Sequence, residues 1–202
     1  KPVIDRAKNL ETVTGPTLYC VQLYFNYGRA PLDNVKVRQA INFAVDRNAF
    51  VKATMNGLGE PATMTLPSTH WAYDKSVSTL YPHDPDKARK LLAEAGFKDG
   101  IDLTIGGYTD QDSVRRSEVL QAQLGQAGIR LKFTRGTIAE ISAQFFATEK
   151  KFDVLLSAWT GRPDPSMTYA LGFDKGAYYN ASRLADPELV KLIQQSRESE
   201  DL

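Results

Sequence analysis

Trp159, Arg162 and Asp164 stand in the stretch SAWTGRPDPS, residues 157–166, which overlaps the end of the apolar run KFDVLLSAW. Each residue type suits a different part of a small ligand. An indole supplies a flat apolar wall, a guanidinium a rigid donor fork for a carboxylate or amide oxygen, and a carboxylate an acceptor for an amine. A plain connection needs only turn residues, so we read the stretch as the floor of a ligand pocket. In open α/β sheets, ligands settle beyond the carboxyl ends of strands, where loops converge and helix N-termini offer free N–H groups. The bland alternative is that Arg162 pairs with Asp164 while Trp159 fills a core, and spacing alone leaves both readings open. Tyr27 closes an aromatic strand that also holds Tyr24 and Phe25, and it too is open between pocket lining and sheet packing.

Other residue types carry less chemistry. His70 and His83 are the only histidines and have no cysteine near them, so loop histidines explain the pair better than structural zinc, which takes four N or S ligands. No metal and no cofactor is expected. No GxSxG elbow is present, and a Ser-His-Asp set would have to be recruited from scattered loops. A hydrolase therefore stays only as the rival reading. Gly106 and Gly107 lack the rest of a phosphate-binding motif and read as a strand end with room to turn. Lys132, Arg135, Lys150 and Lys151 read as a solvated face. The single cysteine, Cys20, sits in an apolar alternation and is expected to pack as a small hydrophobe. A net charge of +1, from 25 basic and 24 acidic residues, gives no electrostatic reason to expect nucleic acid or an anionic membrane as partner.

These residues must be positioned by an alternation of strands and helices. Residues 17–27 form a strand rich in β-branched and aromatic types. The spacing of Val37, Ala40, Ile41, Ala44, Val45 and Val51 predicts one long helix over 34–55, with Lys36, Arg38 and Arg47 mostly outside. Residues 58–83 read as an ordered loop. Asp84, Pro85 and Gly96 bracket a helix as N-cap, first position and left-handed stop. A strand at 102–107, a helix at 113–127, a strand at 129–134, a helix from Thr137 to about 150 opened by a capping box, and a strand at 152–158 follow. A last helix begins at Asp186–Pro187–Glu188. The repeated order of helix, Ala-Gly and strand argues for an α/β layered sheet without an internal domain boundary. The chain opens on Lys1 and ends on RESEDL without a glycine stop, so a fragment of a longer protein is expected.

Taken together, FN (25–26), PLDNVKVRQAINFAVDR (31–47), YPHDPDKARKLLAEAG (81–96), LGQAGI (124–129) and FDVLLSAWTGRPDP (152–165) resemble the large solute-binding proteins of ABC importers, the oligopeptide, dipeptide and nickel-binding type. The words occur in that family's order and cover most of the chain. The resemblance implies a periplasmic-binding-protein type II-like lobe, an α/β mixed sheet flanked by helices, with residues 1–202 forming the second of two lobes that close on solute about a hinge. It implies binding without catalysis, delivery of a peptide or other small organic solute to a membrane permease, and a monomer outside the cytoplasm, periplasmic or held as a lipoprotein. A sensor domain would need a transmembrane segment elsewhere. In dipeptide-binding relatives an Asp that holds the peptide amine falls where this chain has Arg162. An Arg that clamps the carboxylate falls near Tyr108 and Asp110, and an aromatic wall residue near Ala139. With charge reversed at the amine position, the resemblance and the residues together point to a solute that turns an anionic or neutral acceptor toward Arg162, with Trp159 as wall and Tyr108 or Asp110 as second contact.

Overall fold

The computed structural model describes residue 7, residues 9–11, 13, 15–147 and 150–198; Lys1 and residues 199–202, on which the expectation of cut ends rests, lie outside them. The elements are β1 (Tyr19–Phe25), α1 (Val35–Ala44), α2 (Arg47–Thr54), α3 (Pro85–Glu94), β2 (Ile101–Tyr108), α4 (Gln111–Gln126), β3 (Ile129–Gly136), α5 (Ile138–Phe146), β4 (Val154–Thr160), α6 (Pro165–Phe173) and α7 (Pro187–Glu198). The four strands form one mixed sheet in the order β1-β4-β2-β3, with β1 antiparallel to β4 and the other pairings parallel.

Strand alternation sorts the side chains between two cores. Ile101, Leu103 and Ile105 of β2 join Val154 and Leu156 of β4 on the face packed with α1, α3 and α4. Tyr108 and Leu155 turn to the opposite face, against Ile141, Phe145 and Phe146 of α5. Gly106 belongs to this second face. A Cβ there would lie 2.7 Å from Ile141 Cγ2, so the residue permits close packing of α5 on β2. Strand β2 runs on to Tyr108, which corrects the reading of Gly106 and Gly107 as a strand end.

The expected long helix is two. Asp46 accepts a hydrogen bond from Ala49 N and caps α2, while Val45 is extended. Arg47, expected outside, folds back: its guanidinium donates to the carbonyls of Asn42 (3.1 Å), Ala62 (3.0 Å) and Tyr81 (3.2 Å). It thereby satisfies a carbonyl near the C-terminus of α1 and ties the 58–83 loop to the helices. Arg38 likewise turns inward, donating to the carbonyl of Leu32 at 2.7 Å. The loop itself is ordered as expected, with one short 3-10 turn at Lys75–Thr79. Gly96 (φ +94°) and Gly128 (φ +81°) occupy the left-handed stops after α3 and α4. Helix α5 carries the capping box but ends at Phe146, where Ala147 turns extended, short of the expected 150.

One polar knot fixes the start of β4. Asp153 accepts from Arg29 Nη2 (2.7 Å) and Nε (3.0 Å) through Oδ1, and from Thr104 N and Oγ1 (both 2.7 Å) through Oδ2. It joins β2, β4 and the turn after β1. From there the ladder pairs Phe25 with Val154 at one end and Tyr19 with Thr160 at the other.

Candidate ligand-binding site

Trp159 is the penultimate residue of β4 and is 7% exposed. Its indole meets the Tyr179 ring edge-on with centroids 4.5 Å apart, within a cluster in which Tyr24, Phe146 and Tyr179 also touch one another. A groove of about 260 Å³ runs beside β1, walled by Tyr24, Tyr27, Trp159, Tyr169, Phe173 and Tyr179. Burial pushes the hydroxyls of Tyr24, Tyr27 and Tyr169 above the usual phenol range. The lining includes no charged side chain. Among the described residues, two solvent-sealed polar atoms without a hydrogen-bond partner belong to residues of this groove, Trp159 Nε1 and Asn180 Oδ1, whereas the Tyr24 hydroxyl meets Gln22 and the Thr65 hydroxyl meets Tyr169. A second hollow of about 300 Å³ lies by α1 and α3, with the Lys87 ammonium 4.0 Å above the Phe43 ring, and none of those polar atoms lines it.

The residues singled out in the sequence do not converge on one point. Trp159 and Tyr27 share the groove, and the Tyr27 hydroxyl donates to the carbonyl of Leu184 at 3.3 Å. Arg162 is exposed and makes no ion pair with Asp164 or any other described residue, so the bland pairing does not form. Its backbone N–H donates to Thr168 Oγ1 at 2.8 Å, and Thr168 lines the groove, so the loop bearing Arg162 is pinned at the groove edge. Asp164 caps α6: its carboxylate accepts from Ser166 N at 2.8 Å, and hydrogen bonding from Ser166 holds it below the usual carboxylate range. Asp110 caps α4 in the same way through Ser113. Tyr108 is 8% exposed and packs in the α5-side core, with its hydroxyl shared between Ser157 Oγ (2.9 Å) and Ser142 Oγ (3.0 Å). The second contact expected of Tyr108 or Asp110 thus falls on groups already engaged in the fold. Ala139, where relatives were expected to carry an aromatic wall, is exposed on α5.

Sequence reasoning missed α6, which supplies Thr168, Tyr169 and Phe173, and it missed Tyr179 and Asn180 in the turn that follows. Asp164–Pro165 carries the same cap-and-proline signal that was read at Asp84–Pro85 and Asp186–Pro187. It was read instead as pocket chemistry. His70 was set aside as a loop histidine, yet it straps the 58–83 loop to this region: Nε2 donates to the Pro163 carbonyl (3.0 Å) while Nδ1 accepts from Ala72 N (3.1 Å).

Among the described residues, no helix is long and apolar enough to cross a membrane. Comparison with known proteins adds a family. Residues 1–180 match the model for bacterial extracellular solute-binding proteins, family 5 Middle. The heme-binding protein A of Haemophilus influenzae is 31% identical over 180 residues, covering 85% of this chain and 32% of that protein. The dipeptide-binding protein of Escherichia coli K12 is 30% identical over 203 residues, covering 96% of this chain and 37% of that protein. Among solved structures, HbpA2 from Haemophilus parasuis superposes with a TM-score of 0.83 at 27% identity over 92% of this chain and 38% of that one. The chain thus spans 32–38% of the length of these relatives.

Proposed function

Because this chain belongs to family 5 of the bacterial extracellular solute-binding proteins and has the mixed α/β fold of type II periplasmic binding proteins, we propose that it forms one lobe of the solute-capturing component of an ABC importer. The solute is a peptide or another small organic molecule. It is held between this lobe and a second one, closure buries it, and the closed form hands it to a membrane permease without chemical change. A two-lobed binder of this kind is a hinge whose closed state is favoured by contacts made to both halves. The protein acts as a monomer outside the cytoplasmic membrane, free in the periplasm or lipid-anchored.

The observation that carries this reading is the aromatic groove beside β1, with the loop that bears the exposed Arg162 pinned at its edge through the Arg162 backbone N–H. Aromatic walls with a few unsatisfied polar groups are the features of a binding site. Arg162 meets an anionic or acceptor group of the solute, with Trp159 as wall. In this reading Asp164 and Asp110 shape the loops, as helix caps, and Tyr108 backs the sheet.

The test is a thermal-shift screen of the full-length protein with short peptides, free amino acids, small carboxylates and metal chelates. A ligand of the folded state raises the melting temperature by mass action, by about 2.7 kcal/mol of stability at a hundredfold excess over Kd. A rise confined to one class supports capture, and Arg162→Ala then weakens that class. No rise in any class refutes the proposal.

A further inference from the structure

Helix α2 runs out into a tight turn whose two central residues are Asn56 and Gly57. Met55 closes the helix by donating to the Val51 carbonyl, and the Leu58 N–H then returns to the Met55 carbonyl at 2.9 Å. Both central residues have positive φ, +51° for Asn56 and +75° for Gly57, the pattern of a mirror-image type I turn, for which Asn-Gly is a preferred pair. The turn thus selects a chemically labile dipeptide. It is the only Asn-Gly in the chain, and the other asparagines precede Leu, Tyr, Val, Phe or Ala. Those side chains hinder the approach of the following backbone nitrogen to the carboxamide, whereas glycine has no Cβ to stand in the way.

The fold leaves the reacting atoms open. Asn56 and Gly57 are exposed, and a Cβ built on Gly57 would meet nothing within 4 Å. Among the described residues, neither the Gly57 N–H nor the Asn56 carboxamide has a hydrogen-bond partner. Only the Leu58 to Met55 bond holds the turn, so rotation out of it costs little at an exposed helix end. Asp99-Gly100, the one Asp-Gly pair, is held instead: the Gly100 N–H donates to the Phe97 carbonyl at 3.1 Å, the Asp99 carbonyl accepts from Arg130 Nη1 at 3.1 Å, and Gly100 packs against the Gly128 carbonyl.

We propose that Asn56 is a site of spontaneous deamidation. The Gly57 nitrogen loses its proton to solvent base and attacks Asn56 Cγ, closing a succinimide ring, while the carboxamide nitrogen takes up a proton and leaves as ammonia. Water then opens either ring carbonyl, giving aspartate by one route and isoaspartate by the other, and no further reactant is needed. Aspartate puts negative charge just past the C-terminus of α2, where the helix dipole disfavours it, and isoaspartate adds a methylene to the main chain of the turn. The inference is independent of the capture role.

The experiment ages the full-length protein in mildly alkaline and mildly acidic buffer, beside a synthetic peptide of residues 53–75, and follows the tryptic peptides 53–75 and 99–115 by mass spectrometry with fragmentation that distinguishes isoaspartate. The expected result is a gain of about 1 Da at Asn56. It should build up faster in alkali, at a rate within about tenfold of that in the synthetic peptide, because an exposed turn opens at almost no cost. Asn56→Gln abolishes the gain, Gly57→Ala slows it by about tenfold or more, and no isoaspartate forms at Asp99. A folded protein that stays unchanged while the synthetic peptide converts, a gain that persists in Asn56→Gln, or isoaspartate forming at Asp99 as fast as at Asn56 overturns the inference.

Discussion

Replacing Asp153 by alanine removes the acceptor that four hydrogen bonds share. The carboxylate joins Arg29 of the turn after β1 to Thr104 of β2 at the entry to β4. Its side chain is 12% exposed, against 41% for that of Arg29, so the acid is buried while its partner keeps some water. Breaking a buried pair costs about 3–5 kcal/mol, because an uncompensated charge stays behind. Partial hydration of Arg29 lowers the expected loss to about 2–3 kcal/mol. Asp153→Asn retains one carbonyl acceptor and should lose roughly half of that. Urea unfolding of the full-length protein gives the magnitude, and hydrogen exchange at β2 and β4 amides gives the location. Because the β1–β4 ladder runs from Val154 to Thr160, loosening its start should also broaden the Trp159 indole resonance at its far end. A loss below about 0.5 kcal/mol for Asp153→Ala, or unchanged protection of β2 and β4, would refute the assignment of this knot as the anchor of the site strand.

Other expected outcomes follow from single contacts. Burial raises the folded-state pKa of Tyr24 above its unfolded value near 10, so the neutral phenol stabilises the fold below that pH and the contribution is lost as pH rises above it. Urea midpoints compared at pH 8 and pH 11 should therefore fall less in Tyr24→Phe than in the parent. Gly106→Ala drives a methyl group to 2.7 Å from Ile141 Cγ2 and 3.0 Å from Phe152 Cδ2, and should cost about 1–3 kcal/mol by thermal or urea unfolding. His70→Ala cuts the strap to the Pro163 carbonyl and should raise hydrogen exchange across 58–83 and 161–164 while leaving that of β2 and β3 unchanged.

The sheet was legible because its local signals agree with one another. Alternating apolar residues in β2 and β3, the continuous apolar run of β4, and glycines at the left-handed stops after α3 and α4 all demand the same layered arrangement. The long helix over 34–55 failed for a physical reason that periodicity cannot see. Apolar spacing continues across Val45, but Asp46 is a better cap than helix residue, and the Arg47 guanidinium finds three carbonyls that only tertiary folding brings together. Helix α6 escaped because apolar or aromatic residues lie on its exposed side as well as its buried side, with Met167 50% and Phe173 38% exposed, which erases the stripe.

The site divides along the same line. Trp159 and Arg162 stand out in the sequence because they follow a strand's carboxyl end, where open α/β sheets present ligands, and in the structure Trp159 and Tyr27 line one groove. Asp164 stands out for its place after the strand and Asp110 only through the family resemblance, and the structure uses both as helix caps, a role that suits Asp where a strand leads into a helix. Asn180 and Tyr179 gave no signal in sequence, since an asparagine in a turn is ordinary until its three carbonyl partners are seen.

Capture without turnover is the core of this account. The most direct measurement incubates the full-length protein with a saturating solute from the class that raises its melting temperature, separates the complex, and identifies the released molecule by mass spectrometry. The account predicts one unchanged solute per chain after prolonged incubation. Recovery of a chemically altered product, or of no retained solute, would contradict it.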